Sequence, residues 1–230
     1  MSSTPEDLRR LVLLDEPTRR RLFDYVRASD RPVGRDEAAA ATGISRGLAA
    51  FHLDRLADGG LLEASFERLS GRTGRGAGRP AKLYRPSDVR VAMSVPETRY
   101  DLAGEVLVRA IEDRRSGEVG PEAVRRAARD RGREIGERMA APGPKGGTMR
   151  RAERALGRLG FEPRVERRRA LIRLGNCPFH ALVGHSRDLV CGLNGALLGG
   201  LMEGLALDGL VPELDPEPSA CCMRIRVREG

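Results

Sequence analysis

The sequence predicts an α+β protein, and three observations carry that prediction. Between Gly34 and Asp58, two helical patterns are joined by a turn at Thr42-Gly43-Ile44. Two strand patterns then flank a glycine-rich loop running from Ser70 to Pro80. Beyond Pro96, helical and strand patterns alternate to a last strand ending at Val227. The first two observations describe a winged helix-turn-helix over residues 1–90. The third places an α+β domain over residues 91–230.

Residues 1–14 read as a polar start followed by a short apolar stretch, Leu11 to Leu14. Glu16-Pro17-Thr18 opens the first helix, with proline in its first turn where the missing N–H costs nothing. Leu22, Phe23, Val26 and the ring of Tyr25 supply its apolar face. The next helix carries Ala38 and Ala39, small enough for a close crossing. Gly43 falls where the turn demands positive φ, which a residue without Cβ adopts freely. Ser45 then caps a further helix by accepting a backbone N–H from its first turn. On that helix Leu48, Ala49, His52, Leu53 and Leu56 recur at helical spacing and form the predicted inner face. Ser45, Arg46, Gly47, Ala50, Phe51 and Arg55 face outward, and His52 reads as a packed histidine rather than a ligand.

Asp58-Gly59-Gly60 stops the helix, Leu61 to Leu69 reads as a strand, and Ala81 to Arg85 as its return. This hairpin wing carries Arg68, Arg72, Arg75, Arg79, Lys82 and Arg85, with no acidic residue from Arg68 onward. Its glycines match neither a P-loop nor GxGxxG, because Arg79 stands where the last glycine belongs. A helix-turn-helix lays its second helix in the major groove, and a basic loop beside it reaches phosphates. Duplex DNA is therefore the expected partner. A dimer is expected as well, since one such module reads few base pairs and two related by a dyad read two half-sites.

In the second half, Glu97 to Arg115 forms a helix with Leu102, Val106, Ala110 and Ile111 on its apolar face. Pro121 opens an arginine-rich helix to Met139, whose interleaved acids predict a salt-bridged surface helix. Thr148 is read as the cap of a third helix ending at Leu159-Gly160. Phe161 to Val165 and Arg169 to Leu174 read as strands. A glycine-rich helix begins near Asp188, with Gly195 and Gly199, then Gly200 and Gly204, one turn apart.

Net charge is +8 in 230 residues, which favours an anionic partner. All but two of the basic residues are arginine, a bias that genome composition alone can produce, so the local wing is a stronger signal than the net charge. The absence of tryptophan and 3% aromatics exclude stacking platforms for single strands. The start, MSSTPEDLRR, has no apolar run to serve as a secretory signal. Leu189 to Leu207 is long enough to span a bilayer, but Asn194, Glu203 and its glycines favour a packed core helix. The expected setting is cytoplasmic, without a membrane partner, where four cysteines suggest metal or redox chemistry before structural disulfides.

Those four are Cys177, Cys191, Cys221 and Cys222, with His180 and His185 as candidate extra ligands. Cys177 lies in a turn after a strand, Cys191 near a helix start, and the pair at the start of the last strand. Iron–sulfur clusters take four thiolates, and zinc takes mixed Cys and His sets. No CxxC occurs, and Cys221 shares a strand face with Met223 and Ile225, so the spacing also allows plain core cysteines.

The segments GRTGRGAGRPAKLYR, LGNCPFHALVGHSRDLVCGLNGALLGGLMEGL and SACCMRIRV resemble Suf-type repressors and their actinobacterial relatives, over roughly residues 15–85 and 170–225. The resemblance implies a dimeric winged-helix repressor of iron–sulfur assembly genes, with a carboxyl-terminal sensory and dimerisation domain that holds an iron–sulfur cluster. Cys177 and Cys191 match the cluster-cysteine region, and one or both of Cys221 and Cys222 would complete the set. The adjacent pair departs from that pattern. Two other readings fit the residues: a winged-helix regulator responding to a small apolar ligand, its cysteines being core, and a metal- or ligand-binding enzyme with an accessory DNA-binding head. No acid–base or nucleophile constellation in the second half supports the enzyme.

Overall fold

The computed structural model describes residues 4–67, 80–113, 120–140, 147–215 and 221–228. They divide into two compact units, one ending at Met93 and the other beginning at Ser94. An amino-terminal helix-turn-helix and a mixed helix-and-sheet arrangement make the fold α+β.

The first unit opens with α1 (Pro5–Leu13), where sequence patterning gave a polar start and a short apolar stretch but no helix. Thr4 accepts from the Asp7 N–H while the Asp7 carboxylate accepts from the Thr4 N–H, a reciprocal capping box that fixes the helix start. In α2 (Pro17–Arg27), the Glu16 carboxylate caps the helix by accepting from the N–H groups of Thr18 and Arg19. The short strand β1 (Val33–Gly34) leads into α3 (Arg35–Thr42), which ends at Gly43 with φ of 68°. The second helix of the motif is α4 (Arg46–Asp58), capped by Ser45 Oγ accepting from the Leu48 N–H. Strands β2 (Leu62–Glu67) and β3 (Ala81–Pro86) form the antiparallel wing, with β1 on the other side of β3. Leu22, Val26, Ala38, Ala49, Leu53, Leu56 and Tyr84 fill the core. Leu48, expected inside, is 42% exposed, because the close α3–α4 crossing takes Ala49 into the contact and turns its neighbour out.

The second unit has α5 (Tyr100–Glu112), α6 (Pro121–Ala140), α7 (Thr148–Arg158), α8 (His180–Val183) and α9 (Arg187–Gly204). Its antiparallel sheet joins β4 (Pro163–Glu166), β5 (Leu171–Leu174), β6 (Leu210–Leu214) and β7 (Met223–Val227) in the order β4-β5-β7-β6. Three expectations change. Gly147, not Thr148, is the cap of α7. Ile111 is 78% exposed, off the apolar face of α5. The arginine-rich α6 is more than a salt-bridged surface helix. One face carries ion pairs such as Arg109–Glu134, while Ala123, Ala127, Ala128, Gly132 and Gly136 on the other are buried.

That buried face meets α9 backbone to backbone. A Cβ on Gly136 would stand 2.6 Å from the Leu201 carbonyl oxygen. A Cβ on Gly200 or Gly204 would run into the carbonyls of Arg129 or Arg133. Gly200 and Gly204 of α9 are thus filled within the chain. Leu193, Leu197, Leu198 and Leu201 lie in the core, and among the described residues no helix is long and apolar enough to cross a membrane.

Candidate nucleic-acid interface and thiol centre

The outer face of α4 is built as a contact surface. Ser45, Arg46, Gly47, Phe51 and Arg55 are exposed and Ala50 is half-buried. A Cβ on Gly47 would meet nothing, so the first turn is open to a close-fitting ligand. Phe51 leaves 55% of its surface in solvent, with the Arg55 guanidinium 5.9 Å from its ring centroid. Arg46 Nε lies 2.6 Å from Asp36 Oδ1, with both side chains exposed. This pair holds the guanidinium at the start of α4 through a contact weak enough to exchange for another anion. His52 is buried on the opposite face, its Nδ1 3.6 Å from Glu16 Oε2, as a packing residue.

Asp54, on the same helix, escaped sequence analysis. Its Oδ1 accepts from Lys82 Nζ at 2.6 Å and from Tyr84 Oη at 2.7 Å, which ties α4 to the wing strand β3. Burial pushes the Asp54 carboxyl up, but the bonds from Lys82 and Tyr84 outweigh it and hold the group below its ordinary value. Tyr84 is pushed well above the usual phenol range, by burial and then by Asp54. Lys82, expected to meet phosphate, is therefore already paired within the chain, and Arg85 is paired with Glu63 at 2.6 Å. Arg68, Arg72, Arg75 and Arg79 lie outside the described residues.

In the second unit three separate elements deliver the cysteines to one end of the sheet. Asn176 pins the turn after β5 by donating to the carbonyls of Gly160 at 2.6 Å and Glu97 at 2.8 Å. Cys177 follows it, and the His180 N–H donates to the Cys177 carbonyl. Cys191 occupies the second turn of α9. The Cys221 N–H donates to the Leu174 carbonyl, which sets the adjacent pair beside the end of β5. Neighbouring side chains on extended backbone point oppositely. Cys221 accordingly faces Cys177, while the Cys222 sulfur lies 2.6 Å from that of Cys191.

All four cysteines are free; Cys177, Cys191 and Cys221 are buried and Cys222 is half-buried. The hydrogen bond from Cys221 holds the Cys177 thiol down to about 7, against the upward push of burial. The same bond, followed by burial, raises Cys221. Burial, then the Cys222 neighbour, pushes Cys191 up to about 12. Asn194, one turn beyond Cys191 and 1% exposed, donates Nδ2 to Cys221 Sγ at 3.4 Å. Its Oδ1 has no partner.

His180 and His185 are exposed, and among the described residues no group of three or more His, Cys, Asp or Glu can hold a metal ion. Four free thiols in two facing pairs, with an amide donor beside one of them, make up the donor set at this end of the sheet.

With the geometry in place, comparison with known proteins is informative for one segment. A helix-turn-helix domain family model matches residues 13–64. That span takes in α2, α3, α4 and the first residues of β2. The match supports a DNA-binding transcription regulator and points away from an enzyme. No curated protein and no solved structure matches the chain.

Proposed function

We propose that the chain is a dimeric repressor that binds duplex operator DNA through α4 and the wing, and that its second unit responds to an iron–sulfur cluster held by Cys177, Cys191, Cys221 and Cys222. The observation that carries the DNA reading is the open first turn of α4 inside a matched helix-turn-helix. Arg46, Phe51 and Arg55 read base edges, Phe51 against thymine methyl groups, and the wing arginines meet phosphates. An operator as partner places the protein's work in the cytoplasm.

The cluster reading rests on the Suf-type resemblance, on four free thiols converging from a turn, a helix and a strand, and on the Asn194 amide at Cys221. When bound, such a group supplies an oxidant- and iron-sensitive tie among those elements. The chain's own part is to present the thiolates, to bury three of them, and to link their order to the packing of α9.

The test is operator binding measured on anaerobically purified protein with iron and sulfide assayed. Arg46→Ala should relax base preference at a cost of about 1–3 kcal/mol, while Arg75→Ala should weaken all sequences alike and flatten the salt slope by roughly one unit. Unchanged binding in both variants overturns the DNA assignment. Protein free of iron and sulfide after cluster reconstitution overturns the cluster, and a saturable apolar ligand would then favour a small-molecule regulator.

A further inference from the structure

Cys191 and Cys222 are 31 residues apart in sequence, yet their sulfurs stand 2.6 Å apart, about half an ångström beyond a disulfide bond. Neither is bonded. Their backbones belong to α9, packed along α6, and to the start of β7, paired with β5 and β6, so the approach is set by the fold. The pair is also reachable. Cys222 is half-buried, and Cys191 lines a groove of about 760 Å³ with Gly192, Gly195, Arg125 and Met223. A Cβ on Gly195 would stand 3.0 Å from the Met223 methyl group, so glycine there keeps the groove open beside the thiols.

We infer that Cys191 and Cys222 form a reversible dithiol–disulfide switch whose oxidant is a hydroperoxide. The thiolate of Cys222, the more exposed sulfur, attacks the terminal peroxide oxygen. The O–O bond breaks, Cys222 becomes a sulfenic acid, and the leaving oxygen takes a proton to depart as water or an alcohol. The Cys191 sulfur then attacks the Cys222 sulfur and expels hydroxide, which takes the Cys191 proton and leaves as water. The two thiols lose two electrons, one O–O bond is reduced, and one S–S bond forms. The product clamps the start of α9 to the start of β7. This chemistry is open to the cluster-free chain and does not depend on the cluster reading, since it needs only these two sulfurs.

The experiment uses full-length protein, stripped of metal and reduced, then treated with one equivalent of hydrogen peroxide. Thiols are counted, and the chain is digested without reductant at acidic residues, with cuts after Glu203 and Glu213 separating Cys191 from Cys222. The expected result is loss of two of the four thiols, one Cys191–Cys222 cross-linked peptide, and its disappearance with dithiothreitol. Cys221→Ser and Cys177→Ser should retain the cross-link and Cys222→Ser should abolish it. Wild-type mapping carries the test even if a variant fails to fold. A cross-link joining Cys177 to Cys221, one between chains, or irreversible oxidation of Cys222 without a cross-link overturns the switch. Iron and sulfide assays on a separate reconstituted sample report on the cluster alone.

Discussion

At the scale of single residues, Asp54 couples α4 to the wing strand β3. Its carboxylate holds Lys82 and Tyr84 through two charge-assisted bonds on a half-exposed site. Asp54→Ala should lower the stability of the first unit by about 1–2 kcal/mol, after discounting for solvent screening. Its pH dependence has a definite sign. A carboxyl held below its ordinary value stabilises the fold above the unfolded pKa, about 3.9 for aspartate, and loses that contribution as pH falls through the folded value. Thermal melts from pH 6 down to about 3 should show a steeper acid decline in the parent than in Asp54→Asn. Equal slopes would mean that the clamp does not form in solution. Sequence patterning put Ser45, Arg46, Gly47, Phe51 and Arg55 on the outer face of α4, where they are exposed, because a helix repeats its faces every few residues, but it put Leu48 on the wrong side. It missed Asp54 because its partners lie 28 and 30 residues away on a strand.

At the scale of elements, the α6–α9 crossing is the joint that the second unit can least afford to lose. Four glycines let two backbones touch, and the obstacle at each is a peptide carbonyl or backbone nitrogen that cannot rotate aside. Gly200→Ala should therefore destabilise by about 3 kcal/mol, at the upper end of ordinary overpacking. Gly104 on α5 is the contrast. A Cβ there meets nothing, so Gly104→Ala should stabilise by about 0.5–1 kcal/mol through helix propensity alone. Urea titrations of the two variants should shift their midpoints in opposite directions. The spacing of the α9 glycines marked close approach, but it did not say which element approached. Gly132 and Gly136 sit among arginines, and that charge pattern concealed the apolar face of α6.

For the whole molecule, the proposal is a coupling between thiol chemistry and operator affinity. An effector shifts affinity only through different interaction energies in two states. Holo-protein and a Cys177→Ser variant, compared anaerobically on the same operator, should differ by roughly 5- to 150-fold. Equal affinities, with cluster content confirmed in the parent, would remove the sensor while leaving the DNA reading intact. Light scattering on the operator complex should give two chains per duplex, as dyad-related half-sites require. Because Gly200 and Gly204 are filled by α6 within the chain, that face of α9 is not the surface available to a second copy.

The sequence by itself determined the helix-turn-helix, its turn at Gly43, its Ser45 cap and the strands of the wing. Each is written within a few residues, where backbone hydrogen bonding and side-chain period act directly. It also marked the four cysteines as chemically notable, without saying how they meet. Tertiary structure alone decided that Cys177 and Cys221 lie together and that Cys191 faces Cys222. It also placed Asn194 on Cys221 and left His180 and His185 in solvent. Those pairings depend on where a helix crosses a sheet and on the alternation of Cys221 and Cys222 along extended backbone, and no local pattern encodes either distance.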